Sequence, residues 1–487
     1  MTTPTGERAP EQDDQEPDPR RWRVLAVTLL VGFMALLDVT IVNIALPSIR
    51  TGLGTSAGTV QWVVSGYALA FGLVLVTGGR LGDAWGRRRL MLLGLSGFIL
   101  SSAAAGLAPS IEVLIAARLL QGFSAGLLTP QSSGLIQTLF RGPERGVAFG
   151  LFGLTVSVSS AIGPVLGGVI IAAVGGEDAW RWIFLVNLPI GLVGLVAIAL
   201  MVPAARPDRA DPRLDVVGAL LLGGSVLCLL FPVISLESGA RLPLLLLPVS
   251  VALVVGFLRW ERRTVARGGA PLLDLALLRE VPGYARGIVI GSLYFTGFTG
   301  VFLVLSVFLQ DGLGLSPLDA GLLLTPFAVG SAVASPVAGR LVSRVRRPLT
   351  VVALLLMMSG LVVLAALVPR SEDGVSLWLV VALPLLLAGL GGGAVVSPNF
   401  TLTLADVPPR MGGAAGGAVQ TGQRLGASLG AALLVTSYEL SIDGTGSPVR
   451  ALQVALALAL LILAAALVVA VRGSRRPASS GAPTPGP

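Results

Sequence analysis

The chain contains no lysine and no histidine; all 34 of its basic residues are arginine. Without lysine there is no loop of the form GxxxxGK[ST], so nucleotide hydrolysis by that route is excluded, as is Schiff-base chemistry. Without histidine, no imidazole relays protons or binds a metal, and proton handling falls to carboxylates. The one cysteine, Cys228, lies in an apolar run and has no partner for an intrachain disulfide; it reads as packing. Charge is scarce too, at 12% of 487 residues against a hydrophobic share of 54%. A soluble chain carries about 25% charged residues, so lipid rather than water is the main solvent here. No nucleophile–base pair and no metal-ligand cluster stands out, which argues against an enzyme, and no cofactor is implied.

What is present is a series of apolar runs, each about 20 residues long, the length that crosses a bilayer. They fall at 22–46, 58–78, 90–109, 112–135, 146–173, 182–202, 215–235, 243–260, 285–309, 317–340, 349–368, 376–402, 412–436 and 450–471, fourteen in all. The first is too long for a signal-peptide core and is read as a retained span. The polar, acidic stretch before it reads as a disordered tail. Arginine is distributed unevenly between the connecting segments. With the N-terminus inside, 27 arginines lie on the inner side and five on the outer, and Arg118 and Arg424 lie within spans. That bias predicts both termini in the cytoplasm. It also accounts for the net charge of +8 without a nucleic-acid or nucleotide partner.

A repeat runs through the chain. Gly79-Arg80-Leu81 returns 260 residues later as Gly339-Arg340-Leu341, and Arg87 maps onto Arg347 at the same offset. The first run, shifted equally, lands on the ninth. The fold class is therefore an all-α polytopic membrane protein of two six-helix bundles plus two extra linker helices. The expected division is a cytoplasmic tail at 1–21, a bundle at 22–202, a linker at 203–283, a second bundle at 284–471 and a tail at 472–487. Parallel six-span halves place a substrate site between them, near the membrane midplane.

Four segments carry candidate chemistry. The loop GRLGDAWGRRRL at 79–90 has glycines that permit close approach and a sharp turn, and Asp83 can accept hydrogen bonds from a helix N-terminus or from arginine. In IEVLIAARLLQGFSAG at 111–126, Arg118 sits in mid-span, at a cost of about 2.5–3.5 kcal/mol; it is either functional or bonded to backbone carbonyls. In GLTVSVSSAIGPVLGG at 153–168, Gly163 and Gly167 allow close helix packing, and Pro164 frees a carbonyl and kinks the helix. In LDVTIVNIALP at 37–47, Asp38 is the acidic residue deep within a span. A carboxyl among apolar residues favours its neutral form, which makes Asp38 the candidate proton carrier; a structural bond to a neighbouring helix is the alternative.

These segments resemble those of the major facilitator superfamily, in particular its fourteen-span drug:proton antiporters. QWVVSGYALA (61–70), WRWIFLVNLPIG (180–191), PRLDVVGALLL (212–222) and LGLSPLDAGLLLTPFAVG (313–330) are similar to strings common in that group, and the resemblance covers residues 22–436. It implies a proton-coupled exporter of small lipophilic molecules such as drugs or antibiotics, working by alternating access as a monomer in the cell membrane. It assigns Asp38 and Arg118 to proton coupling. It makes Gly79, Asp83, Gly86, Arg87 and Arg88 a cytoplasmic latch, with Ser343 in place of the carboxylate in the second copy. Gly163, Pro164, Gly167 and Gly168 become the packing motif that marks export. A dedicated exporter of one self-made metabolite and an uptake symporter remain as alternatives. Asn43, Tyr294, Phe298 and Arg424 are candidates to face substrate. Tyr294, Phe298 and Phe302 fall on one face of a helix and read first as a packing or lipid-facing stripe, and second as a surface for stacking an aromatic or cationic ligand. No acidic residue lies mid-span in the second half, which disfavours doubly charged cations.

Overall fold

The computed structural model describes residues 18–204, 215–237, 242–371 and 374–474. Most of the expected N-terminal tail, most of the 203–214 loop and the chain past 474 lie outside the described residues. A backbone without water must bond to itself, and helices do that within one segment. Among the described residues, fourteen helices of 15 residues or more follow one another. The first six are α1 (Arg21–Gly52), α2 (Ala57–Trp85), α3 (Arg87–Gly106), α4 (Ile111–Leu139), α5 (Gly142–Val174) and α6 (Asn187–Met201). Two more, α7 (Val216–Glu237) and α8 (Leu246–Ala266), form the linker pair. The last six are α9 (Tyr284–Val307), α10 (Pro317–Val345), α11 (Arg347–Leu367), α12 (Leu383–Thr403), α13 (Gly412–Thr445) and α14 (Pro448–Ser474).

The repeat is structural. A shift of 260 carries Ala57–Trp85 onto Pro317–Val345 and the start of α3 onto the start of α11. The caps repeat as well. Ser56 accepts from the Thr59 amide at 3.1 Å, and Ser316 from the Asp319 amide at 3.2 Å. Each satisfies one of the free amides of a helix start.

The expected count of fourteen spans is met in part. Twelve of these helices, α6 and α8 together with their short lead-ins, are long and apolar enough to cross a bilayer. The count becomes 13 if α5 is taken as one span, since its two parts, Gly142–Ser160 and Val165–Val174, meet at 41°. Pro164, expected to kink this helix, falls at the break, and its side chain lies outside what the structure describes. Helix α7 spans 22 residues, and its stretch Val216–Pro232 is apolar.

Helices α1–α6 pack into one bundle and α9–α14 into the other. The bundles meet through α2 against α13, α5 against α10 and α12, and α4 against α13. Their close backbone contacts lie toward the Arg-rich ends. A side chain on Gly79 would run into the Gly413 carbonyl, and one on Gly339 into the Gly146 carbonyl. Further along, Gly422, Gly426 and Gly430 seat α13 on α9 within the second bundle. Helix α1 makes no comparable packing with α9 or α10 among the described residues. The bundles are thus closed on the Arg-rich face and apart on the other. Helix α7 straddles the seam, touching both α2 and α13, while α8 packs mainly on α7.

Candidate functional site

Asp38, halfway along α1, is buried, and its surroundings are polar rather than the expected apolar ones. Its Oδ2 accepts from Arg118 Nη1 at 2.5 Å. Its Oδ1 accepts from Asn187 Nδ2 at 2.8 Å and from Gln121 Nε2 at 3.0 Å. Arg118 in turn donates from Nε to the Val63 carbonyl at 2.9 Å and from Nη1 to Gln121 Oε1 at 2.7 Å. Its guanidinium carbon lies 4.2 Å from the centre of the Tyr67 ring. Ser102 Oγ accepts from both Gln121 and Asn187, at 2.8 and 3.1 Å. Arg118 Nη2 is buried with no hydrogen-bond partner among the described residues. Five helices, α1, α2, α3, α4 and α6, therefore contribute to one network around a buried ion pair. Arg118 thus bonds both a backbone carbonyl and the carboxylate. Burying two charges is tolerable only when their remaining hydrogen-bonding capacity is met; Gln121 and Asn187 do that for Asp38, and Ser102 holds those two amides in place.

Those three partners escaped the sequence reading. Gln121 was the most accessible, because it lies three residues from Arg118 on the same helix face. Asn187 lies inside WRWIFLVNLPIG and Tyr67 inside QWVVSGYALA, but nothing in one chain says that these strings meet α1 and α4.

The second constellation is at the seam. Asp83, near the end of α2, accepts at Oδ1 from Arg87 Nη2 at 2.9 Å and from the Gly413 amide at 3.1 Å, and at Oδ2 from the Ala414 amide at 2.9 Å. The carboxylate thus caps the N-terminus of α13, in the opposite bundle, where free amides and the helix dipole favour negative charge. Arg87 also donates to the Pro409 carbonyl at 2.8 Å and to Thr138 Oγ1. Gly86 makes the turn into α3 at φ +97°, a backbone that side chains resist. Arg88 departs from the expected latch. It bonds the Ala199 carbonyl on α6 and stays within its own bundle. Gln137 Nε2 adds a bond to the Leu404 carbonyl at 2.6 Å, and Arg145 one to the Ala405 carbonyl at 3.2 Å. The seam between α5 and α10 has no ion pair among the described residues. It is closed by Ser157 and Ser331 at 2.6 Å and by Ser335 to the Gly150 carbonyl at 3.1 Å, while Phe149 and Phe152 pack against Phe400 of the neighbouring α12, each at 5.5 Å.

The 153–168 motif packs α5 on α1 beside the ion pair. Gly163 lies against Thr40 and Gly167 against Ile41, and Thr40 Oγ1 donates to the Ser159 carbonyl at 3.1 Å. Gly168 is not part of this contact, because a side chain there would meet nothing within 4 Å.

The candidate substrate-facing residues divide. Asn43 is exposed on α1. Tyr294 is not presented to the space between the bundles: it is buried, and its hydroxyl donates to the Gly392 carbonyl at 3.1 Å, inside the second bundle. Phe298 is half-buried and stacks on Tyr294 at 5.7 Å, with Phe302 and Phe327 completing an aromatic cluster. Arg424 reaches across the seam, its guanidinium carbon 4.5 Å from the centre of the Phe71 ring on α2.

A twelve-or-more-helix membrane protein with two repeated bundles, one of them enclosing a buried ion pair, has the architecture of a transporter class. Residues 28–431 match the profile described as "Major Facilitator Superfamily", and the chain belongs to that family. It is 37% identical over 426 residues to the probable actinorhodin transporter of Streptomyces coelicolor, covering 87% of this chain and 73% of that protein. It is 40% identical over 428 residues to the puromycin resistance protein pur8 of Streptomyces alboniger, covering 87% and 82%. The crystal structure of the human organic anion transporter MFSD10 (TETRAN) shares the fold, with a TM-score of 0.67 at 20% identity over 93% of this chain and 100% of that one.

Proposed function

We propose that this chain is a proton-coupled antiporter that exports small lipophilic organic molecules by alternating access. The observation that carries the reading is the buried Asp38–Arg118 pair, the place where a proton can exchange for an ion-pair partner. The names of the relatives, one a transporter of actinorhodin and one a puromycin resistance protein, support the outward direction. So does the α5 motif, which seats Gly163 and Gly167 on α1 within a turn or two of Asp38.

In this reading the Arg-rich face is cytoplasmic, both termini lie inside, and the described shape is the outward-facing one. A proton entering from outside neutralises Asp38 and frees Arg118 from its counter-charge. The bundles then rock, the Asp83 contact opens, and substrate enters from the cytoplasm. Loss of the proton inward restores the pair. Each proton moving down 100 mV supplies about 2.3 kcal/mol. The linker division at 203–283, a full complement of fourteen spans with α5 and α7 included, and a monomer in the cell membrane belong to the same proposal.

The second reading is a dedicated exporter of one self-made metabolite, favoured by relatives named for single compounds. The test is drug accumulation and minimum inhibitory concentration in a pump-deficient bacterium expressing the wild type or Asp38→Asn, with and without a protonophore. Lower accumulation that needs both Asp38 and the gradient is expected. Normal gradient-driven export by Asp38→Asn would remove Asp38 from the mechanism. The number of compounds affected, one or many, separates the two readings.

A further inference from the structure

Arg424 differs from every other arginine placed within a span. Arg118 is neutralised by Asp38, whereas Arg424 has no hydrogen bond or ion pair with any described residue; its one close partner is the face of Phe71. It is half-buried, on the face of α13 that nearer the Arg-rich end meets α2 through Gly413 and Gly417. Gln420, one turn back on that face, keeps Nε2 buried and unpartnered, and the neighbouring Thr421 Oγ1 is also buried and unpartnered. A cation held out of bulk water without a counter-charge is costly. A cation–π contact offsets only part of that cost.

No carboxylate is placed to supply the missing charge. Asp38 is enclosed within the first bundle by Arg118, Gln121 and Asn187. Asp83 is committed to the α13 N-terminus. The other described acidic residues lie near helix ends or in connections. The space between the bundles is therefore positive, with an aromatic wall at Phe71 and unspent donors at Arg424 and Gln420.

Building on the export reading above, we infer that the substrate is a lipophilic aromatic monoanion, a carboxylate or acidic phenol, held by Arg424 with Gln420 as second donor and stacked beside Phe71. A guanidinium presents two parallel donors to a carboxylate, which gives both strength and orientation. The energetics agree. One proton inward against one monoanion outward moves two charges, so the membrane potential drives export twice. The same exchange with a monocation moves none.

The test uses the full chain in liposomes and three probes on one skeleton: anthraquinone-2-carboxylate, its methyl ester, and an analogue bearing a quaternary ammonium group. Wild type is expected to move the carboxylate in preference to the ammonium, with net charge movement that a potassium–valinomycin potential accelerates. In Arg424→Gln the carboxylate-to-ester ratio is expected to fall about tenfold or more, the loss of one charge-assisted donor set. Arg424→Lys is expected to recover much of that ratio. An equal fall for all three probes in Arg424→Gln would make Arg424 a seam-packing residue and overturn the inference. So would a wild-type preference for the ammonium probe. Neither result touches the export reading. That reading fails separately if none of the probes, nor any compound of the resistance panel, moves in a gradient-dependent manner.

Discussion

The two copies of the repeat close the same face of the molecule by different means. At the first, Asp83 binds the amide ends of α13 and Arg87 reaches the Pro409 carbonyl. At the second, the position 260 residues on is Ser343, exposed and bonded only to the Arg340 carbonyl of its own helix at 3.3 Å. Both copies keep the glycine that lets the bundles touch, Gly79 on Gly413 and Gly339 on Gly146. The turn beyond is kept in shape but not in residue: Gly86 at φ +97° becomes Arg346 at φ +57°. Close approach is therefore required twice, whereas the charged contact is required once. One ionic contact between two halves can be released in a single step, and two would have to open together.

Predictions can break this comparison at each level. The largest effect is expected from Gly79→Val or Gly339→Val. Each drives a side chain into an opposing carbonyl, so each should cut export by about tenfold or more, with the Arg-rich face becoming open to thiol labelling at introduced sites. Equal loss from both would support a two-point closure; loss from only one would end it. Next comes Asp83→Asn, which gives up charge-assisted bonds worth about 1.5–3 kcal/mol. It should open the Arg-rich face by roughly ten- to a hundredfold in population, read by spin-label distances across α2 and α13. Ser343→Ala should change the same distances by less than a factor of about two, equivalent to the ±0.5 kcal/mol typical of surface changes. Smallest are the turns. Gly86→Ala should destabilise by about 1–3 kcal/mol, while Arg346→Gly should relieve strain and leave thermal stability equal or up by about 1 kcal/mol, both read by unfolding in detergent.

Much of the scaffold was legible because lipid imposes one rule on every span, and apolar runs record it. The 260-residue repeat was legible for the same reason. Twelve of the fourteen expected spans stand out by length and composition, whereas the bend between the two parts of α5 leaves no mark in its apolar run. At the sites, lone charges in apolar runs drew attention to Asp38 and Arg118, but their contact joins positions 80 residues apart and is set by bundle packing. The i, i+4 stripe of Tyr294 and Phe298 gave a helix face but not its neighbour, which proved to be α12 for the tyrosine. Arg88 looked equivalent to Arg87 in an arginine run. A helix turns 100° per residue, and that sends the two to opposite neighbours.

Helix α7 carries one practical consequence. It rests on α2 and α13 together, so any relative movement of the bundles must slide at least one of them past it. The chain's single thiol, Cys228, sits on this helix and is half-buried. The native sequence thus comes with its own strain gauge. A small environment-sensitive dye on Cys228 reports each rocking stroke, with no other cysteine to remove first.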